Sequence, residues 1–303
     1  MTEDRLPPPA EKTRLITWLD VVIIGSVAAL LILTYYRVEH VLVYNWNWGL
    51  VFQYLVHIDE VTGEVFPNLF LKGVAMTLRL AFWGTVIAGI IGIVMGLCRV
   101  SNSLFLKLGS RIYVELIRNI PPVVFIFVFY FFISSQIIPL LGLDRIKDIT
   151  DPTTVAVIEL LFGPLDLFEN FLAGLICLAV FESAYITEIV RAGIQSIDKG
   201  QWEAARAIGL SRFFVFWDVI LPQALKTILP PLAGQFITLV KDSSIVSLIS
   251  VQELTFLTQD VSNTTTHFFE SWMITAVLYF AMCFPLAVLF QRFERAGIGI
   301  QRQ

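Results

Sequence analysis

The chain is built on apolar stretches of roughly 20 residues, the length a helix needs to cross the hydrocarbon core of a bilayer. They run from about 15 to 36, 73 to 97, 112 to 138, 168 to 190, 221 to 248 and 272 to 290. Hydrophobic residues make up 56% of the 303 positions and charged residues only 15%, against the ~25% charge usual in a soluble domain. The sequence therefore predicts an all-α integral membrane protein that crosses the bilayer six times.

Details within the runs sharpen that expectation. Trp18 and the Tyr35–Tyr36 pair sit near the ends of the first run, where amphipathic rings anchor a helix at the membrane interface. Gly84, Gly89, Gly92 and Gly96 recur at near-helical spacing in the second and let another helix approach closely. Pro121–Pro122 interrupts the third near its start, and Val155–Phe162 in the following loop is apolar but too short to cross. The fifth run opens Ile220-Leu221-Pro222 and contains Pro230–Pro231, which predicts a helix broken or bent near a third of its length. Broken helices at membrane depth require protein or a wet cavity to receive the freed backbone groups, and this favours a transport pathway over a simple anchor. The leader Leu6–Ala10 is polar and proline-rich and shows no signal-peptide pattern. Cys98, Cys177 and Cys283 are isolated, and His40, His57 and His267 are scattered, so no metal or redox site is expected.

Charge orients the chain. Lys and Arg concentrate in the leader (Arg5, Lys12, Arg14), between the second and third runs (Arg99, Lys107, Arg111, Arg118), around Arg191–Lys226 and in the tail (Arg292, Arg295, Arg302). The opposite loops hold few and are rich in acids, among them Asp59, Glu60, Glu64, Asp144, Asp151, Glu253, Asp260 and Glu270. The positive-inside bias places both termini in the cytoplasm. The acids read either as solvated loops or as a docking face for an external protein.

Catalytic signatures are absent. There is no GxxxxGK[ST] phosphate loop, no GxSxG elbow and no HExxH, so any ATP used must be hydrolysed by another subunit. Charges in or beside the runs are the default functional candidates, since burying one costs several kcal/mol unless it is paired or wetted. These are Arg79, Glu115, Arg118, Glu182, Glu188, Lys241 and Asp242. Glu115 and Arg118 are spaced for a local pair, Lys241 for snorkelling, and Arg79 and Glu182 for a pair between helices. Tyr185, Gln235, Thr238, Asp242 and Ser243 would add polar lining to a pathway in which Glu182 selects electrostatically.

One charged stretch is far too short to cross: Gly200-Gln-Trp-Glu-Ala-Ala-Arg-Ala-Ile-Gly-Leu-Ser211. It predicts a short helix with Gly200 as N-cap, Glu203 at the third position reaching back to the cap, and Gly209 in the left-handed position that ends it, with Leu210 folding back toward Ala205. Ser211 would cap the helix that follows. Ala204, Ala205 and Ala207 leave the backbone approachable. The stretch reads equally as a connector resting on the membrane surface or as a handle for a partner.

Glu203-Ala204-Ala205, then Gly209, then Val219-Ile220-Leu221-Pro222 resembles the EAA loop of ABC-transporter permeases. The flanks, Ala184–Gly193, Leu221–Leu225, Leu239–Ile245 and Tyr113–Pro122, are similar to the polar amino acid subfamily (histidine- and glutamine-type permeases), with Asn119-Ile120 where that subfamily usually carries Gly-Thr before the proline. The resemblance covers about 72 to 295. It implies a five-helix, MetI-like permease core at 72–295 with a coupling loop at about 191–220. An extra N-terminal transmembrane helix and external segment would occupy 1–71, and a cytoplasmic tail 296–303. It also implies a bacterial inner-membrane location, a cytoplasmic ATPase dimer carrying ATP and Mg, an external solute-binding protein, and a second permease copy or homologue, with neither a cofactor on this chain nor nucleic acid. Gly200, Glu203, Ala204, Ala205, Gly209, Leu221 and Pro222 would form the ATPase-coupling loop. Arg79, Glu182, Tyr185, Gln235, Thr238, Asp242 and Ser243 would line the pathway. The competing readings are an ion-gradient-driven secondary transporter, against which no inverted repeat is found, and an assembly component without flux.

Overall fold

The computed structural model describes residues 17–40, 44–59 and 63–299. Arg5, the leader 6–10, Lys12, Arg14, Leu15, Glu60 and Arg302 lie outside them. Six of its helical segments are long and apolar enough to cross a membrane. The chain divides into two units, residues 1–47 and 48–303.

Among its described residues the first unit contains one helix, α1 (Trp18–His40, 23 residues), about 35 Å long and sufficient for one crossing. At its start Asp20 accepts from the Thr17 N–H at 2.7 Å, the return half of a capping box.

The second unit begins with α2 (Trp48–Gln53) and a hairpin of β1 (Val56–Ile58) and β2 (Val65–Pro67), antiparallel, with Val56 opposite Pro67. Asn68 caps α3 (Leu69–Val100), accepting from Leu69 N–H at 2.8 Å while donating to the Gln53 carbonyl at 2.7 Å. Next come α4 (Leu104–Arg118) and α5, which runs Pro122–Phe129, widens into a π turn at Tyr130–Ser134 and ends Ser135–Leu140. After a 3₁₀ turn (Leu143–Asp148) come α6 (Pro152–Phe162), α7 (Phe168–Gln195) and α8 (Lys199–Ala207). The chain then passes through Arg212–Phe214 and a π segment (Val215–Ile220) into α9 (Leu221–Asp242), which continues as a 3₁₀ stretch (Ser243–Ile249). Two helices close the unit, α10 (Leu254–Thr265) and α11 (Phe268–Gly299).

Two expectations change. The third crossing begins at Pro122, and the residues from Ile112 belong to α4, a separate amphipathic helix burying Ser110, Val114 and Ile117. Neither proline can donate a backbone hydrogen bond, so Pro121 sits extended in the cap position and Pro122 opens the new helix. The fifth run, in contrast, is not broken at Pro230–Pro231, because α9 is helical through both. The prolines leave only the Lys226 and Thr227 carbonyls without their i+4 donors, and Thr227 borders an open cleft where water can satisfy them. The irregular turns sit instead at the two ends of α9.

Helices α3 and α7 form the centre. A Cβ at Gly92 would lie 2.5 Å from Ile186 Cγ2, and one at Gly96 2.6 Å from Val190 Cγ1. These matched contacts mean that the two helices run parallel at a separation only glycine permits. Gly84 faces Leu239 in the same way, whereas Gly89 meets nothing within 4 Å and takes no part. One core cluster joins Met76, Leu80, Phe171 and Leu175 to Val246 and Val251. A second joins Ile186, Val190 and Ile194 to Ala205, Ile220, Ala224 and Ile228, which welds α8 to the crossing helices.

Candidate functional site

Helix α8 is short, and its ends define it. Its N-cap is Asp198, whose Oδ1 accepts from the Gly200 N–H at 2.6 Å. Gly200 is therefore the second helical residue, and Glu203, the fifth, stands too far along to complete a capping box. A carboxylate accepts the orphan amide more strongly than glycine can, so the cap moves two residues upstream. Gly200 still has a role, because a Cβ there would lie 3.0 Å from the capping oxygen. Asp198 is the residue that the sequence reading missed, and an Asp two positions before a helical glycine was its signal.

The other end matches expectation. Gly209 adopts φ +86°, its N–H donates to Arg206 O at 3.0 Å, and Leu210 N–H donates to Ala205 O at 3.3 Å. This is a Schellman closure. Open space surrounds Gly209, so the backbone angle alone demands glycine. Ser211 occupies the next cap position without a side-chain cap bond. Ala205 is buried against Val215, Ile220 and Ala224, with Trp202 and Leu210 packed beside it. Glu203, Ala204, Ala207 and Ile208 remain exposed, Ile208 at 78%. Gln201 accepts from Gln223 Nε2 at 3.3 Å, which ties α8 to the start of α9. There Leu221 N–H donates to Phe216 O, five residues back, and Pro222 lacks the donor that would tighten the turn. The Leu221–Pro222 ending thus sets the π segment that connects α8 to the fifth crossing. The geometry offers a rigid, small-faced helix fixed to two membrane helices, suited to carrying a push or pull between a partner and the bilayer.

A second group of residues converges on α7. Glu182 is fully buried, and it accepts a close hydrogen bond from Gln235 Nε2 of α9. The Asp242 carboxyl lies near it. Its Oε1 is buried without a hydrogen-bond partner. Gln235 also lines a cleft of about 440 Å³ with Arg118, Tyr185, Glu188, Thr227 and Pro231, so Glu182 stands one residue behind the cleft wall. The Arg118 guanidinium lies over the Tyr185 ring, 5.2 Å from its centroid. Tyr113 bonds the Ser183 hydroxyl and the Val180 carbonyl (3.1 Å), which holds α4 against α7. Glu188 pairs closely with Arg191 and lies 3.6 Å from Arg99 Nε, a cluster joining the ends of α3 and α7. The arrangement presents a cation and a ring at the surface and carboxylates behind an amide, groups able to receive a zwitterion.

Other expected members fall elsewhere. Arg79 does not pair with Glu182; its Nε donates to Leu160 O at 3.2 Å while Trp83 Nε1 donates to Leu161 O at 3.0 Å, and both hold the end of α6. Since Gly92 is level with Ile186, Arg79 is level with Ala173, about 14 Å along α7 from Glu182. Ser243 donates to Val240 O within its own turn, and Thr238 is half-buried away from the cleft lining. Glu115 accepts from Asn119, not Arg118. Glu253 and Glu270 are fully buried rather than solvated. Glu253 caps α10 through the Thr255 and Phe256 amides, and accepts from Tyr279 (2.8 Å) and more distantly from Thr77. Among the described residues no group of His, Cys, Asp and Glu is arranged to hold a metal.

Residues 88–296 match the family model described as a binding-protein-dependent transport system inner membrane component. A probable glutamine ABC transporter permease protein GlnM of Bacillus subtilis is 33% identical over 199 residues, 66% of this chain and 79% of that protein. A probable amino-acid ABC transporter permease protein YckA of the same organism is 31% identical over 75% of this chain and 88% of its own length. Among solved structures, a chain of an amino acid ABC transporter crystallised with histidines superposes with a TM-score of 0.60 at 34% identity, covering 75% of this chain and 94% of that one. The methionine transporter MetNI, 18% identical with a TM-score of 0.53, shares the fold.

Proposed function

The chain belongs to the family of binding-protein-dependent transport system inner membrane components, and from that membership we propose that it carries polar amino acids across the bilayer, driven by a cytoplasmic ATPase through α8. It is the all-α membrane permease of an ABC importer and not an enzyme; ATP hydrolysis resides on a separate subunit. The polar amino acid cargo is supported by the named substrates of its relatives and by the buried Glu182 behind the cleft, with half-buried Asp242 near it. The transport domain is taken as 72–295 and the coupling loop as about 191–220.

In this reading the exposed small face of α8 (Ala204, Ala207) enters a groove of the ATPase, which holds ATP and Mg. Asp198 and Gly209 keep the helix wound, and Leu221–Pro222 passes its displacement to α9. The Lys and Arg bias supports a cytoplasmic α8 with both termini on that side, and the acid-rich face supports docking of a solute-binding protein opposite. A second permease chain completes the pathway. Glu182, with Asp242 beside it, attracts the α-ammonium group of the cargo; Tyr185 and Gln235 line its approach.

The observation that carries this reading is the Schellman-closed α8 seated on the crossing helices. Gly209→Asp puts a Cβ at φ +86°, which disfavours the helix end by about 1–2 kcal/mol. It is expected to abolish uptake while solute capture by the binding protein stays intact. Normal uptake by an assembled Gly209→Asp complex contradicts the assignment.

A further inference from the structure

The α8 end of the second unit holds a groove of about 780 Å³ that the coupling role does not use. Lys199, Trp202 and Arg206 line it from α8, Val100 from the end of α3, and Arg212 and Phe216 from the segment leading into α9. The three α8 residues are spaced i, i+3, i+7 and share one face. Ala204, Ala207 and Ile208 lie on the opposite face, so a ligand in the groove and a partner on the small face do not compete. No carboxylate appears among the lining residues, and the neighbouring Asp198 is engaged in capping α8.

The groove is cationic at its mouth and apolar at its base. Beyond Phe216 it is continuous with an exposed aromatic patch: Phe213 (63% exposed), Phe214 (50%) and Trp217 (49%), whose rings pack on one another and on Phe216. These residues begin the fifth crossing segment, at the level where aromatic side chains meet lipid headgroups. A soluble anion has no use for that surface, whereas a molecule with a phosphate and an acyl chain matches both halves.

We propose that this groove binds an acidic phospholipid of the adjoining leaflet, with its phosphodiester among Lys199, Arg206 and Arg212 and its chain along Phe213, Phe214 and Trp217. The bound lipid bridges α8 to the fifth crossing and makes the position of α8 sensitive to the acidic lipid content of the membrane.

The test uses the full chain in nanodiscs containing phosphatidylglycerol or phosphatidylcholine with brominated acyl chains. Quenching at Trp217 is taken as the difference between the unchanged protein and Trp217→Phe. A preference for the brominated acidic lipid on the order of tenfold in the lipid fraction giving half-quenching is expected. It should vanish in the triple variant Lys199→Gln, Arg206→Gln, Arg212→Gln and persist in Lys199→Arg. Equal quenching by the two lipids overturns the proposal, as does a preference that survives the triple variant. Abolition by millimolar inorganic phosphate also overturns it, because it would mark a site for a free anion. Should the triple variant fail to assemble, the lipid comparison and the phosphate competition in the unchanged protein still decide.

Discussion

Helices α7 and α9 meet where Gly193 faces Ile228, just before the chain turns into α8. A Cβ at 193 would sit 2.3 Å from Ile228 Cγ1, 3.1 Å from its Cδ1 and 3.5 Å from its Cβ. Carbon atoms rest at about 3.5–4.0 Å, so Gly193→Ala overpacks the contact and costs about 1–3 kcal/mol. Ile228→Ala removes both offending atoms and leaves a 3.5 Å contact. Alone it loses packing at a residue only 4% exposed, about 2 kcal/mol, the low end for such a truncation because lipid rather than water surrounds the bundle. Together the two changes exchange one methyl for a larger void, and the clash disappears. The double variant is therefore expected to be more stable than the sum of the singles predicts, by about 1–2 kcal/mol. Gly92 and Ile186 supply the control. There the near atoms are Ile186 Cγ2 at 2.5 Å and Cβ at 2.6 Å, and Ile186→Ala keeps the Cβ, so no rescue follows. The assay is equilibrium unfolding of the purified chain in mixed micelles. Additivity within about 0.5 kcal/mol at 193/228, or equal rescue at 92/186, refutes the packing argument.

Other outcomes follow from single groups. Asp198→Ala removes the cap of α8, and the Gly200 amide should exchange with solvent about fivefold faster, a weakening of about 1 kcal/mol; unchanged exchange would contradict the cap. Glu253→Ala strands the Thr255 and Phe256 amides and leaves the Tyr279 hydroxyl with the Thr255 hydroxyl in place of a carboxylate, and should lower unfolding stability by about 2–4 kcal/mol. Burial holds the Glu253 carboxyl above its ordinary value even though these donors pull it down. Its contribution is therefore full at low pH, where it is protonated, and is lost as pH rises through the raised value; Glu253→Gln should flatten that part of a stability–pH profile. Glu182→Gln should reduce amino acid uptake by about 10–100-fold, the loss of a buried charge that attracts the ammonium group through the cleft wall, taken as comparable to one charged hydrogen bond, and unchanged rate and selectivity would remove Glu182 from the pathway.

The six crossings are legible in the sequence because apolar length is a coarse signal that survives errors of several residues at each end. The end of α8 is legible too, since a glycine after a small helical run has few other uses, and Gly209 is where the motif puts it. Other features escape for physical reasons. The two prolines cost the same two hydrogen bonds whether the helix breaks or a cleft receives the carbonyls, so Pro230–Pro231 does not reveal which occurs. Spacing cannot weigh Asp198 against Gly200 as the cap, because both flank the same first turn. Arg79 and Glu182 lie on neighbouring helices, but only the Gly92–Ile186 contact sets the offset that keeps them apart. Burial of Glu253 depends on α3 and α11 meeting α10, contacts remote in the chain.

The most direct test of the account is uptake into liposomes holding the purified chain with its ATPase and solute-binding subunits, measured across a panel of labelled polar amino acids. Accumulation that needs ATP on the α8 side and binding protein on the other, and that fails in Gly209→Asp, is the predicted result. Accumulation driven by a proton or sodium gradient without ATP would contradict it.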